Sequence, residues 1–182
     1  MARARSGARM SLPAPPFSEP LRLNQIGAGV TRDLAPDEAA RERIARTLDL
    51  IELPGFKASL TVKPADNGWR LSGQVTAHAV QRCGLTLEPL PADIDESFAI
   101  DLVEADPRAP VEVDVDPEED GPDVIEDGVI DLGVYAVEQL ALALDPFPRK
   151  PGAVFEQPEE PAEESPFAVL KQFKAPDSSG DA

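Results

Sequence analysis

Cysteine and histidine are almost missing from these 182 residues, with one of each, Cys83 and His78. A single cysteine rules out an intramolecular disulfide, and with one histidine it cannot assemble a Cys/His zinc site, so no metal or other cofactor is expected. Such sparing use of thiols fits a reducing, cytoplasmic setting. No apolar run approaches the roughly 18 residues that span a bilayer, and no membrane partner is expected. The N-terminus, MARARSGARM, is basic, but no hydrophobic stretch of signal-peptide type follows it, and Met10 is a second candidate start. Positive charge is also scarce: 17 Lys and Arg face 34 Asp and Glu, for a formal net charge of -17. A body of that charge repels nucleic acid at long range and attracts basic partners. This argues against DNA and against broad, non-specific RNA binding, while leaving room for a local basic patch.

Proline is plentiful, with 20 residues, and aromatics are few at 5% of the chain, so much of the sequence reads as linker. The length suits one ordinary domain with tails. Residues 1–16 read as a disordered basic tail and 17–155 as a single domain. An acidic loop spans about 104–128, a Pro/Glu linker 156–164, a docking motif 165–174 and a disordered tail 175–182.

Within the domain, Pro20 to Ile26 alternates enough for a short edge strand. Pro36 opens a helix in which Ala40, Ile44, Leu48 and Ile51 form one apolar stripe, and Pro54-Gly55 ends it. Its arginines, Arg41, Arg43 and Arg46, read as a solvated face paired to Glu38, Glu42 and Asp49 rather than as phosphate contacts. From Phe56 the period changes to two: Phe56, Ala58, Leu60 and Val62 share one face. After the turn cluster Pro64 to Gly68, Trp69, Leu71, Gly73, Val75, Ala77 and Ala79 form the next apolar face, which makes a β-hairpin. A third alternating run carries Ile94, Phe98, Ile100 and Leu102. His78 falls on the polar face with no nucleophile pattern near it, a surface position rather than a general base.

Between Asp93 and Asp131 the chain is extremely acidic, with Arg108 its sole basic residue. Val111, Val113 and Val115 read as a short strand inside it. Asp116, Glu118, Asp120 and Gly121 can be aligned on a calcium loop, but Asp123 and Asp127 stand at positions eight and twelve, so a solvated acidic loop is the reading. Asp131 then caps a second helix with Leu132, Tyr135 or Val134, Val137, Leu140 and Leu144 inward, and DPFPRKPG stops it. The chain is thus read as α+β: an antiparallel sheet of four to six strands with two main helices, barrel closure being left open.

The remaining features are local. QRCGLTLEP, from Gln81 to Pro89, joins two strands, with Gly84 supplying backbone angles closed to other residues. Cys83 beside Arg82 reads as a small turn or core residue ahead of a redox-sensitive thiol. In SPFAVLKQF, Pro166 starts a helical turn or two, and Phe167, Leu170 and Phe173 share a face that docks on its own domain or on a partner.

Taken in order, QRCGLTLEP, the segment Val129 to Gly152 and SPFAVLKQF resemble the YceD-like family of bacteria, over about Phe17 to Lys174. The resemblance implies a non-enzymatic factor for large-subunit ribosome biogenesis, affecting synthesis, processing or stability of 23S ribosomal RNA. Its implied partners are that RNA, a basic ribosomal protein or a pre-ribosomal particle. Within the blocks that carry it, Gln81, Arg82, Cys83, Gly84, Arg149 and Lys150 are read as the binding residues, being placed at element ends. Some members carry a second cysteine, a histidine and a further cysteine where this chain has Val80, Lys150 and Phe155, so any chemistry of that quartet is missing here. The competing reading is an acidic adaptor that docks through Pro166, Phe167, Leu170 and Phe173, with no ribosomal role.

Overall fold

Alternation of apolar and polar residues from Leu53 to Leu102 builds three long strands, β3 (Glu52–Ala65), β4 (Gly68–Arg82) and β5 (Pro89–Glu104), paired antiparallel. The computed structural model describes residues 14–105 and 121–154. The Val111 to Val115 strand, most of the acidic loop, the linker and the motif Pro166, Phe167, Leu170 and Phe173 therefore lie outside the described residues.

Ahead of these strands come β1 (Pro20–Arg22), a 3-10 turn (Leu23–Gln25), β2 (Val30–Leu34) and helix α1 (Glu38–Thr47). After them come β6 (Asp123–Ile125), β7 (Val129–Asp131) and helix α2 (Leu132–Ala143). The main sheet has the order β2-β3-β4-β5-β6, while β1 and β7 form a separate antiparallel pair. The architecture is α+β, as expected. The sheet is mixed, because β6 joins β5 in parallel, and it is open: β2 and β6 are its two edges and do not pair with each other.

One sheet face is apolar and carries both helices. Leu60, Val62, Leu71, Val75 and Leu102 are buried in a single cluster with Ile44 of α1 and Leu132, Ala136 and Leu140 of α2. Gly73 leaves a gap on this face that Leu60 fills: a Cβ there would come 2.5 Å from Leu60 Cδ2. The other face is a polar ladder. Arg70 pairs with Asp101 at 2.9 Å, Gln74 donates to Asp95, and His78 bonds Asp93. His78 is thus a surface side chain on an exposed strand face, as read.

The tight hairpin between β3 and β4 demands its glycine. Gly68 has φ of +133°, and a Cβ would lie 2.1 Å from the Leu102 carbonyl oxygen. The first helix departs from expectation at both ends. Asp37, not Pro36, opens it, accepting from the Ala40 N–H at 2.8 Å. It ends at Leu48, because Asp49 turns left-handed (φ 53°) and the Leu50 N–H reaches back to the Ala45 carbonyl at 2.8 Å. Ile51 therefore leaves the helical stripe, its N–H joins the Val80 carbonyl, and Pro54-Gly55 falls at an irregularity within β3. The expected ion pairs on α1 are replaced among the described residues by bonds to carbonyls: Arg41 to Pro36, Arg43 to Pro16 and Arg46 to Glu42.

The second helix begins as read, and its cap does more than close the helix. Asp131 Oδ1 accepts from the N–H groups of Gly133 (3.0 Å), Val134 (3.2 Å) and Glu19 (2.8 Å), while Oδ2 accepts from the Ser18 hydroxyl. A return bond from the Leu132 N–H to the Glu19 carbonyl at 3.0 Å completes the clamp on the N-terminal segment. The stretch Pro20 to Ile26, read as one edge strand, is β1 followed by the 3-10 turn, since β7 offers only three residues to pair with.

Candidate binding site at the β4–β5 turn

Residues 83–88 carry the chain from β4 to β5 in a compact turn, in which the Cys83 N–H bonds the Glu88 carbonyl at 2.9 Å and the Leu87 N–H bonds the Cys83 carbonyl at 3.0 Å. The left-handed residue is Leu87, with φ of 60°, and not Gly84 as the sequence suggested. A Cβ on Gly84 would meet only the Pro148 oxygen, at 3.8 Å, so neither angle nor space requires glycine there.

The exit from α2 comes to rest on this turn. Asp145 Oδ1 accepts from the Phe147 N–H at 2.8 Å, a local side-chain turn that, with Pro146 and Pro148, redirects the chain out of the helix. Three tethers then hold the two segments together. The buried Gln81 donates its amide to the Asp145 carbonyl at 2.8 Å, which satisfies its polar group. The Gly84 N–H bonds the Pro148 carbonyl at 2.9 Å, and the Lys150 N–H points at Cys83 Sγ at 3.4 Å. Gln81, Cys83, Gly84 and Lys150, all singled out from the sequence, are therefore neighbours.

Cys83 is fully buried beneath this junction. Hydrogen bonds from the Thr86 side chain and N–H, and from the Lys150 and Leu85 N–H groups, pull its thiol down to about 6 against the opposing effect of burial. Its role here is a sulfur acceptor that ties two segments, which agrees with the turn or core reading. The Lys150 ammonium pairs with Glu88 at 2.8 Å. That contact raises the Lys150 pKa and, with help from the Thr86 hydroxyl, lowers that of Glu88. The Lys150 charge is therefore largely spent inside the site.

Above the junction lies an open cleft of about 430 Å³, lined by Arg82, Leu85, Leu87, Phe147, Arg149, Asp49 and Asp145 among others. Arg82 and Arg149 reach the same cleft, and neither has an ion-pair partner among the described residues. Phe147 is 77% exposed and Leu87 65% exposed. Phe147 was missing from the residues picked by sequence. The flanking prolines show that it lies beyond the helix, but not that its ring is exposed. Among the described residues no cluster of His, Cys, Asp and Glu could hold a metal ion.

Residues 71–174 match the family model described as the large ribosomal RNA subunit accumulation protein YceD. The match starts within β4 and takes in the Cys83 turn, the α2 exit and the terminal SPFAVLKQF. No curated protein and no solved structure matches the chain.

Proposed function

Because the chain belongs to the YceD family of large ribosomal RNA subunit accumulation proteins, we propose that it serves large-subunit ribosome biogenesis by binding, without catalysis. The family name implies a role in accumulation of large-subunit ribosomal RNA, and the family is not a known enzyme family. On this reading the protein acts in the cytoplasm and contacts pre-ribosomal RNA or a basic ribosomal protein. The observation that supports a binding role is the junction of the β4–β5 turn with the α2 exit. It presents two arginines without ion-pair partners among the described residues, beside exposed apolar side chains, on a body whose net charge is strongly negative. Two arginines in one cleft of a strongly acidic body favour local recognition over indiscriminate attachment.

In-cell ultraviolet crosslinking, with sequencing of the attached RNA, tests this reading. Reads concentrated on large-subunit ribosomal RNA are expected, and they should fall when Arg82 and Arg149 are both replaced by alanine. A protein that crosslinks no ribosomal RNA and recovers no ribosomal component refutes it. If removal of residues 165–182 alone abolishes every partner, the adaptor reading replaces it.

A further inference from the structure

The cleft over the Cys83 turn combines three features with a shared chemistry. Arg82 and Arg149 offer planar guanidinium groups on its walls, Phe147 offers an aromatic ring that the rest of the protein leaves uncovered, and Leu87 adds apolar surface beside it. The volume of about 430 Å³ falls within the range of sites that hold one small organic unit. A ligand that satisfies both the ring and the guanidiniums must be planar and anionic at its periphery. Lys150 is already paired to Glu88, so the charges left to meet a ligand are the two arginines and, opposing them, the carboxylates of Asp49 and Asp145.

We propose that this cleft holds one nucleotide of single-stranded RNA, its base stacked on Phe147 and its flanking phosphates held by Arg82 and Arg149. The proposal rests on the ribosomal RNA reading above and narrows it to a site and a nucleic-acid form. Single strands are selected over duplexes for two reasons. A ring can stack only on a base that is itself unstacked, which loops and open strands provide. Two arginines also neutralise too few phosphates to hold a duplex against a body of net charge -17. Asp49 and Asp145 also line the cleft, and their repulsion of phosphate disfavours poses that bring the backbone near them.

The test uses the full chain and a fluorescein-labelled, mixed-sequence single-stranded RNA of about eight nucleotides, within the site sizes of single-strand binders. The same sequence annealed to its complement is the control, and both are read by fluorescence anisotropy across a salt series. The single strand is expected to bind at least about 10-fold tighter than the duplex. Phe147→Ala should weaken it by about 10-fold with an unchanged salt slope, because stacking releases no counterions. Arg82→Ala with Arg149→Ala should flatten the slope by about 1.4, at about 0.7 per phosphate contact on a single strand. All three side chains are exposed, and circular dichroism of each variant confirms the fold.

Equal binding of single strand and duplex, or variants that bind like the wild type, overturns the proposal. Tagged recovery of pre-ribosomal particles from cells separates it from the broader reading. If particles are recovered and lost in Phe147→Ala while the RNA oligomer fails to bind, the cleft grips a ribosomal protein: the nucleotide proposal falls and the biogenesis role stands. If the wild type recovers no particles either, both fall together.

Discussion

Replacing Asp131 by alanine removes one carboxylate that accepts four hydrogen bonds, and the structure sets the size of the loss. Two of the donors, the N–H groups of Gly133 and Val134, belong to the first turn of α2. Loss of such a cap costs about 1 kcal/mol. The other two, the Glu19 N–H and the Ser18 hydroxyl, tie down the N-terminal segment, and each exposed bond contributes roughly 0.5–1 kcal/mol. Asp131→Ala should therefore cost about 2–3 kcal/mol, a fall in Tm of roughly 5–10 °C for a domain of this size. Asp131→Asn keeps an oxygen acceptor and should cost only about 1 kcal/mol. Urea denaturation followed by far-ultraviolet circular dichroism gives both values. Hydrogen exchange adds a local readout: amides of β1, whose Leu21 is buried against the core, should lose protection in the alanine variant before those of β4. A loss under about 0.5 kcal/mol, or β1 amides that keep their protection, would show that the N-terminal segment is held by burial of Leu21 alone and that the clamp is incidental.

Three further outcomes are expected. Gly68→Ala should cost at least about 2 kcal/mol, because it demands a positive φ and a Cβ 2.1 Å from the Leu102 oxygen; a Tm within a degree of wild type contradicts this. The depressed Cys83 thiol makes stability depend on pH. Its pKa falls from 9.0 unfolded to about 6 folded, so the stabilisation is complete above about 9, shrinks as pH falls and is gone below about 6. Glu88 titrates below that window and Lys150 above it, so the difference in urea midpoint between wild type and Cys83→Ala should widen from pH 6 to pH 9, and a constant difference refutes the shift. Lys150→Met should cost under about 1 kcal/mol in denaturant, since the pair with Glu88 is half exposed and the Lys150 N–H still reaches Cys83; a larger loss assigns the junction to the ammonium.

The long strands were legible because burial on one side only writes itself into the residues: Leu60 and Val62 face the core while Thr61 and Lys63 face water. Strand β2 escaped notice because Thr31, Arg32 and Asp33 are all exposed, so its identity comes from main-chain pairing to β3 and hardly from its side chains. The parallel partner β6 is three residues long and hidden in an acidic stretch for the same reason. At the site, the turn after β4 could be read from Gln81 to Pro89, and the stop after α2 from its prolines. Their meeting could not. It depends on the Gly84 N–H, the Pro148 carbonyl and the Lys150 N–H, groups that nearly every residue carries, brought together across more than 60 positions. Phe147 likewise became notable only when its exposure was known.

The clamp at Asp131 also sets an order of events in the growing chain. Ser18 and Asp131 are 113 positions apart, so β1 has no partner until the chain has grown that much further. At about 5–20 residues per second, that interval lasts roughly 6–23 s. Strands β2 to β5, whose pairings are nearer in sequence, can form within it, leaving Leu21 and the core beneath it exposed meanwhile. Newly made protein thus passes through a stage in which its apolar floor is open to solvent and to chaperones, and that stage ends only when β7 and then α2 have packed.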